Sequence, residues 1–296
     1  MHTAPHGTAR RRLLLAGGGA GLLHLAGPAA ASPEPLSVSA LTSDGVRLHL
    51  LEQAPAGGPV AGAPTLVLVP GWCMPATIWS SQLSGLGARW RTVAMDPRGQ
   101  GQSPVPAYGY TLDRRADDLH DVLLDYPRVV LVAWSLGVLE ALHYVQRHGS
   151  GRLLALALVD NSIGEPPAPG ASDFLQRLRR ERRATLEHFV RGMFAHPPAP
   201  AQLDALRDAA LRMPLEASIA LLSYPKPREY WRGIVHAFEP PLAYLITPHL
   251  RAQAQHLVQA RPASRVEVFE RAGHALFADE PERFNRYLSD WIQSLA

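Results

Sequence analysis

One cysteine, Cys73, in a chain of 296 residues leaves no partner for an internal disulfide. The cysteine count therefore says nothing about the redox compartment. Metal signatures are missing too: there is no H-E-x-x-H helix and no pair of cysteines at ligand spacing. No G-x-G-x-x-G follows a strand into a helix, so no dinucleotide is implied. The sequence calls for no metal and no organic cofactor. Net charge is scarce as well. The formal value is +3, and Arg10, Arg11 and Arg12 account for it, leaving 26 basic against 26 acidic residues in the rest of the chain. A neutral body lacks the electrostatic footprint of a nucleic-acid binder. The 24 glycines and 27 prolines are scattered, and no internal repeat is present. With 47% hydrophobic residues the chain has ample material for one large core.

Residues 1–31 carry the three arginines and no acid. A glycine-interrupted apolar run from Leu13 to about Gly27 follows, and the segment exits through Ala29, Ala30 and Ala31. A stable membrane span needs about 20 predominantly apolar residues, and this run falls short. The pattern fits a signal peptide cleaved before Ser32, and TARRRLLL resembles a twin-arginine signal. Export to the periplasm or medium is the expectation. An Ala/Arg/Gly tail on a cytoplasmic protein is the alternative.

Beyond the leader, short apolar runs alternate with helix-like segments. Strands are expected around Ser43-Asp44-Gly45, at 65–70, 91–96, 128–133, 153–160, 241–247 and 265–270. Helices are expected at 75–88, 111–126, 136–148, near 249–260 and from Pro281 to Leu295. In the helix at 111–126, Leu112, Leu119, Val122 and Leu123 face inward, and its Asp and Arg residues form a solvated face. Residues 165–235 break the rhythm with helical, arginine-rich, proline-punctuated sequence. Strands alternating with helices call for a mainly parallel sheet covered on both faces.

The stretch RVVLVAWSLGVLEAL (128–142) concentrates the chemistry. A β-branched run ends at Ala133, Ser135 follows, and Gly137 opens a helix pattern. This is the G-x-S-x-G shape of a nucleophile elbow with alanine in the first glycine position. The plainer alternative is that Ser135 only caps the helix that follows.

Together with LVLVPGW, DPRGQGQS and RAGHALFADEPERFN, the stretch VAWSLG resembles the α/β-hydrolase superfamily, in its serine esterase and haloperoxidase-like branch. The similarity runs from about residue 36 to the C-terminus. It implies an eight-stranded, mainly parallel sheet built from residues 32–164 and 236–296. The segment 165–235 would then be a helical lid over the carboxyl ends of the strands.

The resemblance assigns Ser135 as nucleophile and His274, after the last strand, as general base. The family usually takes its acid from the loop after the strand PLAYLIT, but TPHLRAQAQHLVQ holds neither Asp nor Glu. A minority of members take it from the end of the preceding strand, which here is Asp160. Glu267 and Glu270 are other possibilities, Asp279 is expected to begin the last helix, and Asn161 could only orient the ring. The implied oxyanion donors are the backbone N–H groups of Trp72 and Leu136. Asp96 and Arg98 are expected to hold a turn, Cys73 to pack as a small apolar residue, and the arginines at 177–183 to face solvent.

The implied function is a serine hydrolase that cleaves small-molecule carboxylic esters through an acyl-enzyme. An acyltransferase or cofactor-free perhydrolase on the same site, and a binding protein that kept the fold, are the alternatives. Haloalkane dehalogenation is disfavoured, because that chemistry uses an aspartate at the elbow.

Overall fold

In the computed structural model, which describes residues 34–295 apart from 171, alternate residues of VVLVAW pack on opposite faces of one sheet. Val130, Val132 and Trp134 join one core, and Val129, Leu131 and Ala133 join the other. Period-two alternation of side chains explains the split, and burial on both faces explains why the run is apolar throughout.

The sheet has eight strands: β1 (Leu36–Leu41), β2 (Arg47–Gln53), β3 (Thr65–Val69), β4 (Thr92–Met95), β5 (Val129–Trp134), β6 (Leu153–Val159), β7 (Leu242–Ile246) and β8 (Arg265–Val268). Their spatial order is β1-β2-β4-β3-β5-β6-β7-β8. β1 and β2 pair antiparallel, as do β2 and β4, and every later pairing is parallel. Each expected strand is present, with ends shifted by a residue or two. The helix expected at 75–88 begins as a 3-10 turn, Ala76–Trp79, before α1 (Ser80–Gly87).

Helices cover both faces. α1 and α11 (Pro281–Gln293) send Leu83, Leu86, Phe284, Leu288 and Trp291 into the first core. α2 (Leu112–Leu123), α3 (Leu136–His148) and α9 (Arg251–Ala260) close the second. In α2, Leu112, Leu119, Val122 and Leu123 are buried as their spacing predicts. Each contributes about 1.5–3 kcal/mol relative to an exposed side chain. Thr111 caps α2, its side chain accepting from the Arg114 N–H at 3.2 Å.

One expectation for α2 fails. Arg115 and Asp118 are not on a solvated face: they are 2% and 1% exposed. Arg115 pairs bidentately with Glu140 of α3, at 2.7 and 3.2 Å, and Arg98 pairs with both oxygens of Asp118. A buried charge persists only when paired and hydrogen-bonded, and these are.

Residues 165–235 hold α4 (Phe174–Arg180), α5 (Arg182–Gly192), α6 (Pro200–Arg212), α7 (Leu215–Leu221) and most of α8 (Arg228–Ala237). α8 buries Trp231, Ile234 and Val235 in the second core, whereas Leu178, Leu186 and Val190 of α4 and α5 join the first. Arg177, Arg179, Arg180 and Arg183 are exposed, and half-buried Arg182 donates to the Met213 carbonyl. The leader expected at 1–31 lies outside the described residues. Among the described residues no helix is long and apolar enough to cross a membrane.

Candidate active site

At the end of β5 the chain turns sharply into α3, and Ser135 takes φ 54° and ψ −123° to make the turn. Positive φ is costly for a side chain with a Cβ, so the surroundings must hold it. The Ser135 N–H donates to the Val159 carbonyl at 3.0 Å. The Ser135 carbonyl accepts from the Val138 N–H at 2.9 Å and from the Asn161 amide at 2.7 Å. Asn161 thus fixes the elbow backbone and does not orient the His274 ring.

Small residues are required around this turn. A Cβ on Gly137 would lie 2.8 Å from the Pro70 carbonyl oxygen and 3.0 Å from Val69 Cγ1 and O. A Cβ on Gly71 would lie 2.9 Å from Ser135 Cβ. Overpacking of this kind typically costs about 1–3 kcal/mol. Gly137→Ala is therefore expected to lower the unfolding free energy by that amount, read as a lower urea midpoint with an unchanged m-value. An unchanged midpoint would mean the elbow relaxes freely.

The Ser135 side chain does not cap α3. Its Oγ lies 2.8 Å from His274 Nε2, and His274 Nδ1 lies 2.8 Å from Asp160 Oδ2. Asp160 directly follows β6 and its side chain is fully buried, while that of His274 is 29% exposed. A buried carboxylate accepts only, so Nδ1 carries the imidazole proton and Nε2 is left to accept from the serine hydroxyl. The sequence-predicted Ser135, His274 and Asp160 therefore form one hydrogen-bonded chain, although they lie on three loops. Glu267 pairs with Arg283, and Glu270 pairs with Arg251 at 2.6 Å, so neither carboxylate is engaged with His274.

Backbone strain is concentrated here. Among the described residues three non-glycine positions have positive φ: Cys73 at 58°, Ser135 at 54° and Asp160 at 45°. All three flank the same spot at the carboxyl ends of the parallel strands. Strain that persists at one place points to a site where geometry matters more than local stability.

Trp72 and Leu136 border the cavity above Ser135. Neither backbone N–H donates to an acceptor among the described residues, which leaves both available to an oxyanion. The loop carrying Trp72 is braced from below and above. Gln100 Nε2 donates to the Gly71 and Met74 carbonyls at 3.0 and 2.8 Å, and Arg115 holds Gln100 Oε1 at 3.1 Å. The Trp72 indole donates to the Ser218 carbonyl of α7 at 2.7 Å. Asp96 accepts from the Ala76 and Gln102 N–H groups and contacts His49 Nδ1, so it holds this turn region together. Cys73 is 1% exposed, and burial pushes its thiol well above the ordinary range, so it stays protonated.

The cavity measures about 500 Å³. Leu136 and Leu139 of α3 form its floor, and Phe174, Phe189, Leu222 and Tyr224 from the helical segment form much of its wall. The rings of Trp72, Phe174 and Phe189 pack against one another with centroids 5.3–5.5 Å apart. Among the described residues no Asp, Glu, Lys, Arg or His borders it. Burial, with the Glu140 carboxylate adding to it, holds the Tyr224 phenol far above its usual pKa. The lining is therefore neutral.

Three residues that the sequence does not mark as functional position the histidine. The Trp134 indole donates to the His274 carbonyl at 2.8 Å, and its ring centroid lies 5.1 Å from the imidazole. Asp279 does not begin the last helix: it ends the short α10 (Leu276–Asp279). Its carboxylate accepts from the N–H groups of Gly273, Ala195 and His196 at 2.7–3.0 Å, tying the histidine loop to the helical segment. Thr247, after β7, donates to Asp160 from both its N–H and its hydroxyl.

Comparison with known proteins is consistent over most of the chain. A non-heme chloroperoxidase of Kitasatospora aureofaciens is 28% identical over 278 residues, covering 85% of this chain and 98% of its own. A pimeloyl-[acyl-carrier protein] methyl ester esterase of Vibrio vulnificus is 26% identical over 249 residues, 75% of this chain and 91% of its own. Among solved structures, an esterase from Exiguobacterium antarcticum superposes with a TM-score of 0.75 at 20% identity, covering 87% of this chain and 100% of its own. A bromoperoxidase from Bacillus anthracis gives 0.73 at 21% identity, covering 87% of this chain and 100% of its own. At such identities the structures speak for the fold. The model of the alpha/beta hydrolase family matches residues 66–287, which takes in the elbow, the helical segment and the histidine loop, and the chain belongs to that family.

Proposed function

We propose that the protein is a serine hydrolase that cleaves neutral carboxylic esters through an acyl-enzyme. The observation that carries this reading is the chain Ser135 Oγ–His274 Nε2 and His274 Nδ1–Asp160 Oδ2, each link 2.8 Å, with Ser135 bordering a cavity that no charged residue lines among the described residues. The esterases among its relatives support it.

A serine hydroxyl becomes a competent nucleophile when a base takes its proton during attack. Ser135 Oγ adds to the ester carbonyl as His274 Nε2 takes the proton. The oxyanion receives the N–H groups of Trp72 and Leu136, and Asp160 stabilises the imidazolium. Collapse expels the alcohol, which leaves with the proton from Nε2. Water then adds to the acyl-enzyme, giving its proton to the same nitrogen, and the carboxylic acid departs as Ser135 recovers its hydrogen. Residues 165–235 act as the lid that shapes the acyl site.

The neutral wall sets a selectivity that p-nitrophenyl esters can read. Placing a carboxylate in it leaves a charge without a partner, a large penalty. kcat/KM is expected to rise from acetate to hexanoate and benzoate. The hydrogen succinate ester is expected to turn over at least about tenfold more slowly than the butyrate, a deliberately low bound on the cost of burying an unpaired charge. No turnover of any of these esters, or equal rates for succinate and butyrate, would overturn the reading.

The likeness to the chloroperoxidase favours one second reading, in which hydrogen peroxide replaces water. The acyl-enzyme would then yield a peracid and free Ser135. Bromide oxidation that needs both an acyl donor and Ser135 would support it.

A further inference from the structure

We infer that Thr247 is the positioning residue that aims the Asp160 carboxylate at His274, from the loop where the family resemblance leads one to expect the acid itself. The inference rests on the reading of Ser135, His274 and Asp160 as the working triad.

The Asp160 side chain has no exposure to solvent, so its oxygens need protein donors. Oδ2 accepts a hydrogen bond from His274 Nδ1–H. Oδ1 takes two donors from one residue, the Thr247 N–H and the Thr247 hydroxyl, each at 2.8 Å. Strand pairing brings them together: β6 and β7 run parallel with Val159 beside Leu245, so both chains leave the sheet at the same level.

The direction of the hydroxyl proton follows from its neighbours. Asp160 has no proton to give, so the Thr247 hydroxyl donates its own to Oδ1. Its lone pair meets His249 Nδ1 at 2.6 Å, so that nitrogen must carry hydrogen. The hydroxyl is thereby held from both sides, by a buried carboxylate and by an exposed imidazole. Two donors on Oδ1 fix the plane of the carboxylate and leave Oδ2 facing the histidine. With the N–H alone, the carboxylate would have one pivot and could turn away.

Thr247 does not border the substrate cavity, so losing its hydroxyl should spare binding and slow chemistry. Thr247→Val keeps the shape and the N–H, and removes the hydroxyl. Hydrogen bonds to charged groups are among the stronger ones, so kcat is expected to fall by about tenfold or more, with KM for p-nitrophenyl butyrate unchanged. Thr247→Ser should return kcat close to the wild-type value. If the valine variant does not fold, Thr247→Ala carries the same expectation. Asp160→Ala is assayed alongside. A wild-type kcat in Thr247→Val beside an inactive Asp160→Ala would overturn the role of Thr247 and leave the triad standing. Equal losses in the valine and serine variants would overturn it too, because packing and not the hydroxyl would be responsible. A fully active Asp160→Ala would overturn the triad reading on which it rests.

Discussion

Ser135→Ala is expected to lower kcat for a neutral ester by about 10⁶-fold, and His274→Ala by nearly the same factor. The two side chains act as a unit: without the base the hydroxyl is not activated, and without the hydroxyl the base has nothing to activate. The double variant should therefore be scarcely worse than either single one. What remains above the uncatalysed rate would come from the Trp72 and Leu136 N–H groups and from binding in the cavity. Single-turnover measurements with p-nitrophenyl butyrate check this, with circular dichroism to show that the fold is intact. Strictly multiplicative losses would mean the two residues work independently, against the 2.8 Å contact between them.

Asp160→Asn is the second large effect, with an expected fall in kcat of about 10⁴-fold. The surroundings dictate how the new amide must lie. The Thr247 N–H is a fixed donor 2.8 Å from Oδ1, so the amide oxygen turns to it. The amide NH2 then faces His274 Nδ1, which has to accept. That moves the ring proton to Nε2, the atom that must receive the proton of Ser135. Asn should thus be at least as damaging as Ala at this position, although it is closer in size to Asp. Steady-state kcat for the two variants decides it. An asparagine variant clearly better than the alanine one would mean that Asp160 supplies shape and not charge and tautomer.

Periodicity made most of the sheet and its helices readable, because burial on both faces forces apolar runs and an amphipathic helix must show its stripe. The stretch 136–148 is a helix with the expected bounds. Ser135 stood out because the elbow needs small neighbours, a demand now visible in the 2.8 Å approach that a Gly137 side chain would make to Pro70. Asp160 stood out through an absence, the acid missing from TPHLRAQAQ. Other features left no local trace. Arg115 and Asp118 look solvated in a charged helix, because their partners Glu140 and Arg98 are 25 and 20 positions away. Thr247 is an ordinary threonine until β6 and β7 set it beside Asp160. Asp279 gains its role only when residues 193–196 fold back onto the histidine loop, where Ala275 N–H also meets the Met193 carbonyl at 2.8 Å. Backbone contacts of that kind depend on tertiary approach and carry no residue signature.

The central claim is that Ser135 is a nucleophile activated by His274. Intact-mass and peptide-mapping analysis after exposure to a fluorophosphonate tests it most directly. The expected result is one phosphonyl adduct per chain, on Ser135, absent in Ser135→Ala and formed far more slowly in His274→Ala. A wild-type protein that takes no adduct, or an adduct that persists in Ser135→Ala, would contradict the claim.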